Sequence, residues 1–449
     1  MHNTVDEPGE RYTARPIERG FLVGASLKGS RPLIPLEDSL NELSLLAKTA
    51  GIEVVGQTAQ QLRQIDPATF IGSGKVQEVH NAVESLDADM VIFDDELSPR
   101  HQRELEKVFG DDVKIIDRSA LILDIFAQHA NTREGAMQVE LAQYEYRLPR
   151  LTRQWTHLAR QAGGGAGRGG TGGVGLRGPG ETQLEADRRE IGRKISKLKE
   201  DLETVRAHRA RHRAQRERLG LPVVALVGYT NAGKSTLLNA LTGARIYVAD
   251  QLFATLDPTT RRLSLPGGKV ALFSDTVGFI QKLPTTLIAA FRATLEEVLE
   301  ADLLIHVVDA AHPNARAQVE TVEDTLAEID MPRVPRILAL NKVDQLADRA
   351  LPTFENTFGA GDQPESAAVV PLSARTGEGL QALLAEVERL LAENMVPINL
   401  TLPYARGDLL SLIHEFGIVD DEKHSNKGVK IRARIPPRLA SRFHDLHLR

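Results

Sequence analysis

Residues 228–235 read Gly-Tyr-Thr-Asn-Ala-Gly-Lys-Ser, and this stretch limits the possible fold more than any other in the chain. An apolar run at residues 223–227 precedes it and a helix-like pattern begins at Thr236, which predicts a buried strand, a glycine loop and a helix in succession. In that arrangement, loop N–H groups and the positive end of the helix face a phosphate chain. We therefore predict a phosphate-binding loop in which Lys234 reaches the terminal phosphates and Ser235 binds Mg²⁺. A chance glycine turn does not account for the strand and helix beside it.

Three later motifs each follow a strand-like run. Asp275-Thr276-Val277-Gly278 is predicted to hold Mg²⁺ through water by its carboxylate and to meet the γ-phosphate with the Gly278 N–H. Asn341-Lys342-Val343-Asp344 is predicted to select the base, and Ser373-Ala374-Arg375 to contact the guanine oxygen through its backbone. The order of these motifs along the chain is more specific than any one of them.

The Asn341 to Asp344 tetrad decides between the nucleotides. A carboxylate at Asp344 accepts hydrogen bonds from the N1–H and the 2-amino group of guanine. Adenine offers neither donor, so ATP would leave a buried carboxylate unpaired at a cost of several kcal/mol. The sequence therefore predicts GTP as substrate and GDP as product.

A magnesium-sensing switch is predicted between the phosphate loop and Asp275. The stretch Phe253-Ala254-Thr255-Leu256-Asp257 occupies that place, and Thr255 is the preferred Mg²⁺ ligand. Thr259 and Thr260 are the competing ligands, and a purely structural turn at Asp257-Pro258 is the alternative.

We predict three catalytic residues, Lys234, Thr255 and Gly278, and two direct metal ligands, Ser235 and Thr255. The predicted nucleotide-binding residues are Gly228, Tyr229, Thr230, Asn231, Ala232, Gly233, Lys234, Ser235, Thr236, Phe253, Ala254, Thr255, Leu256, Asp257, Asp275, Thr276, Val277, Gly278, Asn341, Lys342, Val343, Asp344, Ser373, Ala374 and Arg375. Phe279 follows Gly278 where many small GTPases carry a glutamine that orients water, and a phenyl ring cannot do this. The sequence thus predicts slow intrinsic hydrolysis that a partner accelerates.

Residues 20–132 alternate strand-like and helix-like stretches and predict a small, largely parallel α/β domain after a disordered start at residues 1–19. The turn Gly72-Ser73-Gly74-Lys75 could hold a phosphate, but a plain helix start is the favoured interpretation. Asp94-Asp95-Glu96 could bind a cation, but a solvated loop that opens the next helix is favoured.

Residues 133–220 predict a basic arm. Residues 147–220 carry 18 Lys and Arg against 8 Asp and Glu, although the whole chain has a net charge of -6. Two apolar seams predict an antiparallel helical hairpin of about 50 Å at about 1.5 Å per residue. The glycine-rich loop 163–180 joins them and predicts a flexible tip for a phosphate-rich surface, with a passive linker as the alternative. The seams are Met137, Leu141, Tyr144, Leu148, Leu151, Trp155 and Leu158, and then Ile191, Ile195, Leu198, Leu202 and Val205.

Residues 221–395 form the predicted GTPase domain, and residues 396–449 a small C-terminal α+β domain. In the latter, residues 429–435 alternate as a strand with cations on one face, which could touch RNA or a ribosomal protein or simply be solvated. His444 and His447 are interpreted as surface residues. The chain has no cysteine and no apolar run of about 18 residues, which predicts a cytoplasmic protein without a membrane span.

Taken together, these motifs resemble the HflX family of translational GTPases, within the class that includes the Obg and Era types. The resemblance is carried by residues 70–75, by Gly-Pro-Gly-Glu-Thr-Gln at 178–183, by the phosphate loop and by the switch sequence at 253–257. It implies a mostly monomeric cytoplasmic protein that associates with the large ribosomal subunit and dissociates or rescues stalled ribosomes. It also implies Ser235 and Thr255 as magnesium ligands, an arm tip near ribosomal RNA, and, as in some members, ATP binding by the N-terminal domain.

The predicted fold class is thus α/β, with a P-loop GTPase domain, an N-terminal α/β domain, a helical hairpin arm and a C-terminal α+β domain. The predicted function is Mg²⁺-dependent GTP hydrolysis stimulated by the large ribosomal subunit, in rescue of stalled ribosomes or in ribosome biogenesis. The alternatives are a GTPase acting on transfer RNA or on ribosome assembly precursors, and a nucleotide-gated RNA-binding module with negligible turnover.

Overall fold

The computed structural model describes residues 17–30, 32–151, 183–243, 252–253, 259–284, 298–329, 331–332, 334–346, 366–426, 428–440 and 442–443. The chain divides into two compact units, of which the first ends at Leu121 and the second begins at Ile122. The loop 163–180, Trp155, Leu158, His444 and His447 lie outside the described residues.

The first unit is built around a parallel four-stranded sheet in the order β2-β1-β3-β4. Its strands are β1 (Arg19–Leu27), β2 (Glu53–Leu62), β3 (Met90–Phe93) and β4 (Lys114–Asp117), and its helices are α1 (Leu36–Thr49), α2 (Ser73–Leu86) and α3 (Pro99–Phe109). All four residues of β3 are buried, as expected for a central parallel strand covered on both faces. The predicted alternation of strands and helices is confirmed.

The prediction of a solvated loop at Asp94 is wrong. Asp94 is fully buried and accepts hydrogen bonds from the Arg118 guanidinium at 2.8 Å and from the Ser39 hydroxyl at 2.7 Å. Glu42 also pairs with Arg118. Burial works against the charged guanidinium, but these carboxylates outweigh it and raise the pKa of Arg118 above its ordinary value. A buried ion pair therefore neutralises the Asp94 carboxylate. No local sequence pattern indicates such a pair.

The turn at Gly72 has the contacts of a helix start. Gly72 caps α2 and donates its N–H to Gln60 Oε1 at 3.1 Å. The Lys75 ammonium binds Glu78 at 2.8 Å and Thr58 Oγ1 at 3.3 Å. The charge of Lys75 is thus paired within the first unit, which agrees with the favoured interpretation of a plain helix start.

Helix α4 (Arg118–His129) leads out of the first unit, and α5 (Arg133–Arg147) and α6 (Gln183–Leu219) follow in the second. The predicted continuous helix from Met137 to Leu158 is wrong, because α5 ends at Arg147 and a short 3₁₀ turn containing Pro149 follows. Proline has no N–H for the helical ladder. Helices α5 and α6 pack together, with Glu145 and Lys199 paired at 2.8 Å.

A six-stranded sheet in the order β10-β9-β8-β5-β7-β6 forms the centre of the second unit. All its neighbouring strands are parallel except β6 and β7. Its strands are β5 (Val223–Gly228), β6 (Thr259–Ser264), β7 (Val270–Asp275), β8 (Leu303–Asp309), β9 (Arg336–Asn341) and β10 (Ser366–Pro371), and its helices are α7 (Lys234–Thr242), α8 (Ala315–Glu328) and α9 (Leu380–Glu393). The edge strand β6 was not predicted from the sequence.

The chain ends in an antiparallel sheet in the order β11-β13-β12. Its elements are β11 (Val396–Leu402), α10 (Gly407–Phe416), β12 (Ile418–Ser425), β13 (Gly428–Ile435) and α11 (Pro437–Ala440). The sequence pattern predicted β11, α10 and β13 but missed β12. One face of the sheet packs against α10, whose Leu409 and Ile413 are buried with Leu400 and Ile431.

Helix α11 ties this last sheet to the GTPase domain. Arg438 donates to Asp302 Oδ1 at 2.8 Å and to the Glu300 carbonyl oxygen. The other oxygen of Asp302 accepts the N–H of Val223, the first residue of β5, at 2.7 Å. Asp302 thus joins the last described helix to the strand that carries the phosphate loop.

None of the helices within the described ranges is long and apolar enough to cross a membrane.

We expect Arg118→Leu to lower the free energy of unfolding of the first unit by about 3–5 kcal/mol, because the buried Asp94 loses its partner charge. Urea unfolding followed by circular dichroism measures this. Arg19→Leu is the matched control, because Arg19 pairs with an exposed Asp87 at 3.4 Å, and such a surface pair contributes about 1 kcal/mol or less. Equal effects of the two substitutions would contradict the importance of the buried network.

Candidate nucleotide-binding site

The phosphate loop follows β5 and ends where α7 begins at Lys234. Gly228 has a φ of +152°, and a Cβ there would lie 2.2 Å from the Val307 carbonyl oxygen. Gly233 caps α7 with a φ of +94°. Both positions therefore require glycine. Asn231 adopts a φ of +59°, which is rare for a residue with a side chain.

Lys234 lies under the loop with only 6% of its surface exposed. Its ammonium donates to the carbonyl oxygens of Gly228 at 3.0 Å and Tyr229 at 2.9 Å. Burial lowers the pKa of Lys234 to about 8, and the charge of Asp275 opposes that shift only in part. A buried ammonium beside loop carbonyls is a strong attractor for an anion.

Ser235 and the Asp275 motif meet next to this lysine. The Ser235 hydroxyl donates to Asp275 Oδ2 at 2.6 Å, and Thr276 donates to the Leu226 carbonyl oxygen at 2.6 Å. Gly278 lies against the phosphate loop, where a Cβ would be 2.8 Å from Thr230 Cα. Parallel pairing of β5 and β7 brings the two motifs to the same end of the sheet.

Phe279 is fixed to the phosphate loop by its backbone. Its carbonyl oxygen accepts the Thr230 N–H at 2.6 Å, and its own N–H donates to the Gly228 carbonyl oxygen at 3.1 Å. The side chain is 3% exposed. The ring is therefore part of the core, and this residue offers no polar group to a water molecule.

Asn341 joins the phosphate loop to the second recognition loop. Its Nδ2 donates to the Ala232 carbonyl oxygen at 2.8 Å, and its Oδ1 accepts the Ala374 N–H at 2.9 Å. Lys342, with a φ of +64°, pairs with Asp309 at 2.7 Å. A single carboxamide thus fixes the separation of the two loops.

Asp344 lies beside Ser373 and Arg375. A hydrogen bond from the Ser373 side chain, followed by the charge of Arg375, lowers the pKa of Asp344 below its ordinary value. Arg375 forms an ion pair with Asp344 while most of its own side chain stays exposed. Asp344 is therefore kept ionised, as an acceptor for hydrogen-bond donors must be.

Phe253 is held under the phosphate loop. Its N–H donates to Thr230 Oγ1 at 3.3 Å, and its ring packs against Phe126 of α4 with centroids 4.5 Å apart. Both rings are buried, and Phe253 has a φ of +59°. The start of the predicted switch is thus in contact with the helix that precedes the arm.

Not every predicted site residue can be placed. Ala254, Thr255, Leu256 and Asp257 lie outside the described residues. Thr259 and Thr260 begin β6 and pair with Asp275 and Ser274 across the ladder. Gly228, Asp275 and Asn341 are the last residues of β5, β7 and β9. Apart from Phe253, the other predicted residues, Thr236 and Val343 included, lie in the loops or helix starts that follow β5, β7, β9 and β10.

Sequence reasoning did not select Asp309 or Phe126. Asp309 ends β8 at the carboxyl edge of the sheet, where ligand-binding residues of open α/β folds collect, so its position was a usable signal. Phe126 contacts Phe253 across 127 positions of sequence. No local pattern reports such a contact.

A mainly parallel sheet, a glycine loop that leads into a helix at Lys234, and an Asn341 to Asp344 tetrad held to that loop define a P-loop GTP-binding protein. The predicted fold class is confirmed.

Four family models match successive parts of the chain. They are described as GTP-binding GTPase N-terminal (residues 37–127), GTP-binding GTPase Middle Region (129–216), 50S ribosome-binding GTPase (223–342) and HflX C-terminal domain (362–445).

The protein named "GTPase HflX" of Alkalihalophilus pseudofirmus is 46% identical over 88% of this chain and 88% of its own. That of Caldanaerobacter subterraneus subsp. tengcongensis is 44% identical over 91% and 90%. A solved structure described as "SsGBP and GDP complex" is 24% identical over 83% of this chain and 98% of its own, with a TM-score of 0.46. This structural similarity is too distant to support a family assignment.

The chain belongs to the HflX family and is a GTPase. The family resemblance and the enzyme class predicted from the motifs are both confirmed.

We expect Asn341→Ala to lower the free energy of unfolding of the nucleotide-free protein by about 2 kcal/mol, because the Ala232 carbonyl and the Ala374 N–H both lose a buried partner. Urea unfolding measures the change. The exposed neighbour Gln345 serves as the control, and Gln345→Ala should change stability by less than about 0.5 kcal/mol. An Asn341→Ala protein as stable as this control would show that the carboxamide does not hold the two loops.

Proposed function

We propose that this protein hydrolyses GTP in a cycle stimulated by the large ribosomal subunit, acting as a monomer in the cytoplasm to dissociate or rescue stalled ribosomes. The observation that carries the ribosomal part is the match of residues 223–342 to the model described as 50S ribosome-binding GTPase. The basic excess of residues 147–220 supports the same partner, because ribosomal RNA is a polyanion.

Lys234 is the proposed phosphate ligand. Its solvent-shielded ammonium touches two loop carbonyls, and a triphosphate would supply the negative charge that a buried cation needs. Loop N–H groups and the start of α7 would share the remaining phosphate charge.

The residues present fit a magnesium ion. Mg²⁺ takes hard oxygen ligands, and the Ser235 hydroxyl and Asp275 carboxylate are already 2.6 Å apart beside Lys234. We propose Ser235 and Thr255 as direct ligands and Asp275 as a ligand through water. The ion would neutralise charge on the β- and γ-phosphates.

Asp344 is the proposed guanine reader. Its lowered pKa keeps the carboxylate ionised for the N1–H and 2-amino donors of guanine. Ser373, Ala374 and Arg375 would contact the guanine oxygen through their backbone. Since Arg375 pairs with Asp344, this arginine must share the carboxylate with the base or leave it.

Catalysis is proposed to rest on positioning and charge stabilisation. Lys234 and the Gly278 N–H would stabilise the γ-phosphate as charge develops, and Thr255 would hold the switch closed through Mg²⁺. Phe279 is buried and fixed by two backbone hydrogen bonds, so its side chain cannot orient the attacking water. We therefore propose that the ribosome supplies or orders the missing group.

The ribosomal proposal is tested by steady-state GTP hydrolysis of the purified protein, alone and with large ribosomal subunits. We expect slow basal turnover that subunits raise at least tenfold. Deletion of residues 163–180 should leave the basal rate unchanged and reduce the stimulation. A rate that subunits do not change, while transfer RNA or assembly precursors do, would move the assignment to those partners.

The role of Lys234 is tested by the pH dependence of GDP binding. The ammonium binds phosphate and the neutral amine does not, so affinity should fall as pH rises through about 8 and approach about tenfold per unit above it. Calorimetry from pH 7 to about pH 9 follows this change. Lys234→Met should bind weakly with little pH dependence, which separates the lysine from ionisations of the nucleotide. Equal pH profiles for the two proteins would exclude Lys234 as the titrating group.

A further inference from the structure

The C-terminal sheet has two faces, and α10 packs against only one of them. On β13, Val429, Ile431, Ala433 and Ile435 are buried on the α10 side, so the alternate residues point the other way. We call that other side the open face; it consists of Pro397, Asn399, Thr401, Ile418, Asp421, Lys423, Lys430, Arg432 and Arg434.

Charge is not balanced across this face. Lys423 of β12 lies directly opposite Lys430 of β13, and the residue opposite Lys430 on the other side is Thr401. Like charges directly opposite each other destabilise a sheet. Two residues further along β13, Arg432 lies opposite Asp421, so the same ladder also contains a pair of opposite charges.

The acidic residues neutralise the open face only weakly. Asp421 lies 3.3 Å from Lys423 and Asp420 lies 3.5 Å from Arg434, and all four side chains are at least 36% exposed. Exposed pairs of this kind contribute about 1 kcal/mol or less. Among the ion pairs of the described residues, none involves Lys430 or Arg432. The face therefore presents an excess of positive charge in its middle.

The composition of the open face favours nucleic acid over protein. Protein interfaces are rich in aromatic residues, methionine and arginine and poor in lysine. The open face has neither aromatic residues nor methionine, and Asn399 and Thr401 lie beside its cations. Lys, Arg, Asn and Thr are the residues that bind phosphate oxygens, whereas single-stranded bases are bound by aromatic stacking.

We propose that the open face binds the phosphate backbone of an RNA helix, without base preference, through Lys423, Lys430 and Arg432. This proposal rests on the proposed ribosomal function, since it adds a second RNA contact far along the chain from the arm. It assigns to the C-terminal domain a role in holding the protein on the large subunit.

The test measures binding of the full chain to large ribosomal subunits by co-sedimentation, and to their deproteinised RNA by filter retention, over about 50 to 200 mM salt. We expect the double variant Lys423→Gln and Lys430→Gln to bind both about tenfold more weakly and to lower the salt slope by about two. Arginine at both positions should restore binding, because phosphates accept either cation.

The control removes the same charge elsewhere. Lys48→Gln with Lys107→Gln changes two exposed lysines on α1 and α3 and should bind like the wild type. Unchanged basal GTP hydrolysis confirms that both double variants are folded.

Three results would overturn the proposal. They are wild-type binding of RNA by the open-face variant, equal losses in variant and control, and loss of binding to subunits but not to deproteinised RNA, which would identify a ribosomal protein as the partner. If the wild type binds the RNA through this face but ignores intact subunits, the proposed ribosomal function fails and the RNA-binding face stands.

Discussion

The geometry of the nucleotide site depends on one buried carboxamide. Asn341 accepts the N–H of Ala374 and donates to the carbonyl of Ala232, so phosphate loop and base loop cannot separate independently. This restraint coincides with backbone strain: Asn231, Phe253 and Lys342 all adopt left-handed φ values at the same edge of the sheet. Conformations of that kind persist where surrounding contacts over-determine them, which is common at ligand sites. The packed sheet beneath, with Leu226, Val307 and Ala339 fully buried, supplies the rigidity.

A second chain of contacts runs from the site toward the arm. Thr230 in the phosphate loop accepts the N–H of Phe253, and the ring of Phe253 packs on Phe126 of α4. Helix α4 is followed after a short turn by α5, the first helix of the arm. A displacement of α4 would thus move Phe253, the first residue of the predicted switch. Phe279 is fixed against the same loop by two backbone hydrogen bonds, and its side chain offers no polar group. Together these contacts link the phosphate loop to the start of the predicted switch and to α4.

The sequence predicted the parts of the fold that local patterns encode. Buried strands such as β5 and β9 contain continuous apolar runs, and glycines at 228 and 233 mark a loop that only they permit. Strands β6 and β12 were missed because, as edge strands with polar residues on both faces, they show no apolar alternation. The burial of Asp94 was not predicted, because its partner Arg118 lies 24 residues away. The predicted helix at α5 was too long, because the apolar seam pattern was given more weight than Pro149. Most of the described motif residues lie at or just after the ends of β5, β7, β9 and β10, so the strand pattern predicted their position. Contacts between residues distant in sequence, such as Phe126 with Phe253, produce no local sequence pattern.

The junction at Asp302 affects the order in which the protein folds during its synthesis. Arg438 lies near the end of the chain, whereas Val223, which shares Asp302 with it, lies near the middle. During synthesis the central sheet can collapse as soon as β10 and α9 have emerged, but the Asp302 carboxylate then has only one of its two partners. The bond to α11 closes only after α11 itself, which follows β10 and α9 in the chain, has been synthesised. The nascent chain therefore completes this junction only after the strands of the central sheet have all been made.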